Sequence, residues 1–241
     1  HSYKMQANHA TKLYSCWLSS CSFRVRIALN LKNVRYEYCA VNLSADEQFD
    51  CQYRDALNPM QQVPTLAIDD CILTQSIPIM EYLEERNKAQ GVRLLPDDLL
   101  SRNRVRQITE IINAGIQPLQ SQSMRNKVIA VRVEYEGATL RHDKQAQSRH
   151  IEEWCRQSIE SGFDALEKLL ATTCGIYCVG NQVSMADCCL IPMVFNAIFK
   201  YKVDVKKYDN IHRIFINCMH LKAFKDAQPS NQPDAPKHSK L

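Results

Sequence analysis

The first third of the chain alternates between period-two and helical patterns. KLYSCW reads as a short strand, and the segment after Ser22 places Val25, Ala28 and Leu29 on one helical face with Leu31 beside it. Asn33 tolerates a left-handed backbone and is expected to end that helix. RYEYCAV alternates and is rich in aromatic and β-branched residues, which predicts a second strand. SADEQFD predicts a short helix with an acidic first turn. TLAI and CIL are two further strands joined by the turn pair Asp69-Asp70, and SIPIMEYLEER is a helix with Ser76 as its cap and Pro78 in its first turn. The predicted order is β-α-β-α-β-β-α.

RLLPDDLLS breaks the alternation. After it every long segment has helical periodicity. Val105, Ile108, Ile111, Ile112, Gly115 and Ile116 form one stripe, with Pro118 expected to kink or end the helix near Gln117. Ile151, Trp154, Ile159, Phe163, Leu166 and Leu170 form another. A third helix starts at Ser184 and runs through Met193 and Val194, and a last one covers Ile211 to Leu221. Ser184 and Asp187 have the spacing of a capping box, a folding device. Cys188 and Cys189 read as core residues and Trp154 as packing.

The expected organisation is a mixed α/β domain over 11–94, a linker over 95–101 and a helical domain over 102–227. Residues 1–10 are expected to be flexible, with HSYK an addition ahead of a natural start at Met5. The tail over 228–241 holds three prolines and no aromatic residue and is expected to be loosely attached. The segment 124–150 is open between an extra strand at VIAVRVEY, a helical extension and a mobile surface loop. A small α/β domain followed by a helical one favours a site where the two meet.

Composition narrows the function classes. The 241 residues are 45% hydrophobic, enough for a substantial core. A net charge of +4, without a basic stripe interleaved by aromatics, gives no support for nucleic acid binding. No apolar run approaches the ~18 residues of a membrane span, and no apolar segment opens the chain. The 11 cysteines are odd in number and lack a C-x-x-C pair, which points to a reducing, cytoplasmic setting with mostly free thiols. With seven scattered histidines, a metal site is not expected.

Three stretches carry chemistry. SSCSFRVRIALN, Ser19 to Asn30, crowds three serines and a cysteine against the start of an amphipathic helix, where free N–H groups attract an anion. In NPMQQVPTLAID, Val63 precedes a proline and is driven to an extended backbone. Its N–H and C=O can pair an extended peptide, or the segment is simply a turn before a strand. In TQSIPIMEYL, Ser76 either caps its helix or binds a carboxylate there, with the amide of Gln75 beside it.

These stretches, with GIQPLQ, GIYCVGNQVSMADCCLIP and the FNA…KVD segment, resemble the soluble glutathione transferases, and within them the zeta class of maleylacetoacetate isomerases. The likeness covers nearly the whole chain outside its two ends and the segment 124–150. Residue 23 is Phe where the class has Trp, an aromatic for an aromatic. The resemblance implies an α/β thioredoxin-like N-terminal domain plus an all-α C-terminal domain, usually homodimeric, with Pro64 as a cis-proline.

It also implies the ligand. The sulfur of glutathione is expected at Ser19, the match to the catalytic serine, with Cys21 a second donor. Ser20 and Ser22 are expected to cap the helix or touch the ligand through backbone, within a glutathione-site segment that includes Phe23 and Arg24. Val63 is expected to pair the cysteinyl backbone, and Gln75 and Ser76 to take the γ-glutamyl carboxylate. Gln117 and Ser121, Gln122 and Ser123 are expected to line the ligand, with Gln48 a weaker match. A free thiol has a pKa of about 8.5, and lowering it by two units needs about 2.7 kcal/mol. A helix N-terminus gives up to ~2 kcal/mol and a hydrogen bond to the anion ~1.5–3, so the two together suffice.

The implied reaction converts maleylacetoacetate to fumarylacetoacetate in tyrosine and phenylalanine breakdown. The thiolate adds to the conjugated carbon, the resulting single bond rotates, and elimination returns the thiol. Glutathione is a coenzyme here. The substrate carries carboxylates, so a cationic clamp is expected. Arg24 and Arg26 lie about 160° apart around the helix and cannot both face the site. Arg24 is the candidate, and Arg26 reads as a surface or interface ion pair. Where the class has an arginine near KVD this chain has Lys200, which keeps the charge without the planar fork. Side transferase activity is implied too. Two other readings remain: a Cys21-dependent thiol transferase, and a non-catalytic glutathione-binding interaction module.

Overall fold

The computed structural model describes residues 10–237, with the side chains of Ala138 and Thr139 outside that description. The expectations for residues 1–9 and 238–241 lie outside the described residues. The chain divides into two units: His1–Leu94 together with Leu221–Leu241, and Leu95–His220.

The first unit is built on a four-stranded sheet of order β2-β1-β3-β4. Strand β1 (Lys12–Ser15) runs parallel to β2 (Glu37–Ala40) and antiparallel to β3 (Thr65–Ile68), which pairs with β4 (Cys71–Thr74). The parallel pair needs a crossover, supplied by α1 (Ser20–Leu31). Asn33 ends it at φ 53°, as its residue type predicts. Asp69 and Asp70 both take positive φ, 53° and 60°, the signature of a two-residue hairpin turn. SADEQFD differs from expectation. It forms two 3-10 turns, Leu43–Ala45 and Glu47–Phe49, and the helix α2 (Cys51–Ala56) starts only at the Asp50 cap.

Helix α3 (Ser76–Arg86) packs against α1. Their facing residues Val25, Ala28, Leu29, Ile79, Met80 and Leu83 are fully buried, with Leu13 and Leu66 of the sheet. A buried ion pair closes the far end. Lys32 Nζ lies 2.8 Å from Glu84, whose carboxylate also takes Arg93 at 2.6 Å and the Leu94 N–H at 2.9 Å.

The chain returns to this unit at its end. After the second unit, α10 (Lys222–Ala227) packs on α1, and Pro229 and Gln232 are buried. The loosely attached tail is therefore corrected for residues 228–237, and the helical domain closes at His220 rather than 227.

The second unit is helical. Helix α4 (Leu99–Glu110) passes into a π-helical segment, Ile111–Ile116, and then a 3-10 turn, Gln117–Gln120, that holds Pro118. The widened turn shifts the apolar stripe: Val105, Ile108, Ile112 and Ile116 are fully buried, whereas Gly115 is exposed. Gly162 makes room for this segment, since a Cβ there would fall 2.4 Å from the Ile116 side chain.

The open segment is helical: α5 (Gln122–Glu136) and α6 (Ala138–His142) lead into the long α7 (Lys144–Thr173). Its buried stripe is Cys155, Ile159, Phe163, Leu166 and Leu170. Trp154, read as packing, is half-exposed, and its indole N–H donates to Leu119 O at 3.1 Å. Helix α8 (Met185–Phe199) is buried on nearly every side and opens with the expected capping box of Ser184 and Asp187. Helix α9 (Asp209–Met219) packs on α7 and α8. No helix among the described residues is long and apolar enough to cross a membrane.

Candidate active site

Strand β1 delivers the chain into Cys16–Leu18, and Ser19 follows in extended conformation as the N-cap of α1. Its Oγ accepts the Ser22 N–H at 3.1 Å. The capping role expected of Ser20 and Ser22 therefore belongs to Ser19. Ser22 is fully buried and its Oγ has no hydrogen-bond partner among the described residues, and Ser20 is buried too. Phe23 is buried and Cys21 half-buried. With the Ser19 oxygen accepting from within the helix, its own O–H remains available to a group lying off the helix end.

The loop ahead of Ser19 is held from below. Arg26 is fully buried, which corrects its reading as a surface or interface ion pair. Its guanidinium donates to Ser15 Oγ at 3.1 Å, Cys16 O at 3.3 Å, Trp17 O at 3.3 Å and Ala227 O at 3.0 Å. From the returning segment, Asp234 accepts the Trp17 N–H at 3.0 Å and the Tyr38 hydroxyl at 2.7 Å. Desolvation lowers the Arg26 pKa, with Tyr38, Tyr36 and Asp234 opposing that. The Tyr38 phenol is raised, first by burial. Sequence reasoning missed this frame, because its partners lie some two hundred positions apart.

Val63 is buried in a cluster with Cys16, Val41 and Tyr53, against which Trp17 also packs, so the approaches to Ser19 and Val63 share one small core. The Val63–Pro64 peptide is cis. The Val63 N–H and C=O make no backbone hydrogen bond among the described residues, leaving both for an extended peptide. The segment is braced by Tyr53 Oη and Asn58 Nδ2, which donate to Gln62 O at 2.7 and 2.8 Å.

Gln75, not Ser76, is the N-cap residue of α3, and Ser76 is its first helical residue. Gln75 sits at φ 69°, ψ 122°, a costly conformation for a side-chain-bearing residue that tends to be kept at functional sites. Its amide lies 3.5 Å from Gln62 Oε1, a residue the sequence reading passed over. Beneath Ser76, Arg24 is buried and its Nη1 donates to Ser76 Oγ at 3.2 Å. The expectation that Arg24 reaches a substrate carboxylate is corrected. Its charge lies under the helix end where the γ-glutamyl carboxylate is expected. Gln48 is also buried, 3.5 Å from Asp46 Oδ1.

In the second unit, Gln117 opens the 3-10 turn and is half-buried. Ser121 caps α5 by accepting the Met124 N–H at 3.2 Å, and Gln122 and Ser123 are exposed in its first turn. Lys200 is the C-cap residue of α8, with Nζ 5.3 Å from the Tyr201 ring centroid. Its pKa is lowered, by desolvation first and then by Arg125.

The comparisons with known proteins agree with this architecture. Residues 9–85 match the family model "Glutathione S-transferase, N-terminal domain" and residues 132–215 match "Glutathione S-transferase, C-terminal domain". A probable maleylacetoacetate isomerase of Drosophila melanogaster is 46% identical over 93% of this chain and 90% of its own length. The structure of a bacterial zeta-class maleyl pyruvate isomerase superposes with a TM-score of 0.81 at 39% identity, over 93% of this chain and 100% of that one. A maleylacetoacetate isomerase of Anaeromyxobacter dehalogenans, with glutathione bound in its active site, gives 0.77 at 37% identity, over 94% and 98%. The chain belongs to the glutathione S-transferase family, and within it to the zeta class of maleylacetoacetate isomerases.

Proposed function

We propose that the chain binds glutathione in its first unit and catalyses the glutathione-dependent cis–trans isomerisation of maleylacetoacetate to fumarylacetoacetate, with side transferase activity. The observation that carries this reading is Ser19. Its oxygen accepts the Ser22 N–H, and its O–H is free to donate to a group lying off the N-terminus of α1. A donor and a helix terminus on one anion are the two terms that together lower a thiol pKa by the required amount.

The remaining residues fit the tripeptide. The free backbone groups of Val63 suit its cysteinyl amide pair. The α3 terminus at Gln75 and Ser76, with Arg24 beneath it, suits its γ-glutamyl carboxylate. Bound glutathione supplies the nucleophilic sulfur. The chain orients it through Val63, holds its charge at Ser19, and keeps the approach loop fixed through Arg26 and Asp234. Cys21 is a second donor. For Gln117, Ser121, Gln122, Ser123 and Lys200 the support is the resemblance. A homodimer and a cytoplasmic location complete the proposal.

The test is isomerisation of maleylacetone, a stable analogue, with and without glutathione. Turnover that requires glutathione and falls by at least a hundredfold in Ser19→Ala supports the reading. Activity that instead vanishes in Cys21→Ser and reduces disulfides would mark a thiol transferase. Glutathione binding with no turnover of either kind would mark an interaction module.

A further inference from the structure

The turn that delivers Ser19 is clamped by two charged side chains of opposite sign. The Ser19 N–H donates to Cys16 O at 3.0 Å, so Cys16 to Ser19 form one turn with Trp17 and Leu18 at its centre. The Trp17 N–H donates to Asp234 Oδ2 at 3.0 Å, and the Trp17 C=O accepts Arg26 Nη2 at 3.3 Å. Both peptide planes flanking Trp17 are tied in this way. Neither rotates without breaking a hydrogen bond to an ionised group, the stronger kind.

Asp234 itself is held on every side. Its second oxygen accepts the Tyr38 hydroxyl of β2 at 2.7 Å. The segment before it is fastened to α10: Gln232 Nε2 donates to Asp226 O at 2.9 Å and to Gln228 O at 2.8 Å, and Asn231 Nδ2 donates to Lys225 O at 2.7 Å. The Ala235 N–H then closes on Gln232 O at 3.1 Å. A carboxylate fixed at both oxygens and by both chain neighbours dictates where the one backbone N–H it meets in that turn must lie. By charge alone Asp234 would oppose a thiolate at Ser19, because a like charge disfavours ionisation. Any support it gives that anion comes through geometry.

We propose that Asp234 is a positioning residue for the thiol site: through the Trp17 N–H it sets the direction in which Ser19 offers its O–H, and so the acidity of bound glutathione. The proposal rests on glutathione binding at Ser19 and extends that site to the returning segment, which the three sequence motifs do not include.

The test follows the ultraviolet absorbance of the glutathione thiolate on the full chain as pH is varied, in the parent and in Asp234→Ala, Asp234→Asn and Tyr38→Phe. In Asp234→Ala the bound thiol is expected to titrate about one unit higher than in the parent, a tenfold loss of thiolate below both titrations. Asp234→Asn drops the charge but keeps an oxygen for the Trp17 N–H, and is expected to titrate at or below the parent value. Tyr38→Phe frees only the other carboxylate oxygen and is expected to lie between the parent and Asp234→Ala. Glutathione affinity gives a second reading. The Asp234→Ala deficit is expected to be several-fold above the bound thiol's titration and to vanish below it, where both chains hold the protonated form. A lowered melting temperature with an unmoved titration, or an affinity deficit equal at every pH, makes Asp234 a structural residue and overturns the proposal. So does a titration that falls in Asp234→Ala as in Asp234→Asn, which would leave the carboxylate its charge alone. If Asp234→Ala does not fold, an unmoved titration in Tyr38→Phe overturns the proposal in its place. A parent chain whose bound glutathione titrates like the free thiol overturns the Ser19 reading itself, and this proposal with it.

Discussion

Ser19 combines two roles in one hydroxyl, accepting from the helix and donating to the ligand. The roles separate by substitution. Ser19→Asp keeps a cap oxygen for the Ser22 N–H but has no O–H to offer at neutral pH. It is expected to retain the parent melting temperature and lose at least a hundredfold in glutathione-dependent turnover. Ser19→Ala loses both, with a stability cost of about 1 kcal/mol. Calorimetry and a maleylacetone assay on the two variants check this. Ser19 was legible through its motif, yet its cap was not. Ser19, Ser20 and Ser22 are all good cap types, and the choice among them depends on where β1 releases the chain. Arg26 was not legible at all. A basic residue at a helical position normally reads as solvated, and nothing local announces that Ala227 O, Ser15 Oγ and two loop carbonyls surround it.

At the scale of elements, α1 and α3 are locked by charge as well as by apolar contact. Burial pushes the Glu84 pKa upward, but the Leu94 N–H, Lys32 and Arg93 outweigh it, and the net value lies below the ordinary glutamate range. A carboxyl lowered by folding contributes stability that is present above its unfolded pKa and is lost as pH falls through its folded value. Thermal stability is therefore expected to decline as pH drops below about 4.3, and melting scans between pH 3 and 7 should show a shallower decline in Glu84→Gln. That variant leaves Lys32 buried without its counter-charge and is expected to cost about 3–5 kcal/mol near neutral pH. The strands, α1, α3 and the capping box of α8 were legible because each has a period and a terminator. VIAVRVEY was not, since its β-branched residues suit a strand equally well. Packing of α5 on α7 decides for helix. The π-helical turn before Gln117 was likewise hidden, because Ile111, Ile112, Gly115 and Ile116 fit an ordinary stripe until Ile116 is found against Gly162.

On the scale of the whole molecule, the first unit is assembled from both ends of the described chain. Ending the chain after Ala227 would remove the Asp234 acceptor for Trp17 and Tyr38 while leaving the Ala227 carbonyl on Arg26. The shortened chain is expected to melt several degrees lower and to bind glutathione more weakly, because the loop leading to Ser19 loses one of its two restraints. Titration calorimetry with glutathione would read this directly, and unchanged affinity would assign Asp234 to stability alone. Proline content made this segment look detached, since no pattern in QPSNQPDAP reports the loop it binds. The return of the chain also sets an order in time. During synthesis the sheet and α1 emerge early, but Ala227 and Asp234 leave the ribosome only after the entire helical unit. At roughly 5–20 residues per second, the loop carrying Ser19 waits on the order of ten seconds for its frame. The thiol-binding unit is thus no portable module: excised as a contiguous N-terminal fragment or fused elsewhere, it would carry the catalytic serine on a loop that lacks the Asp234 and Ala227 contacts.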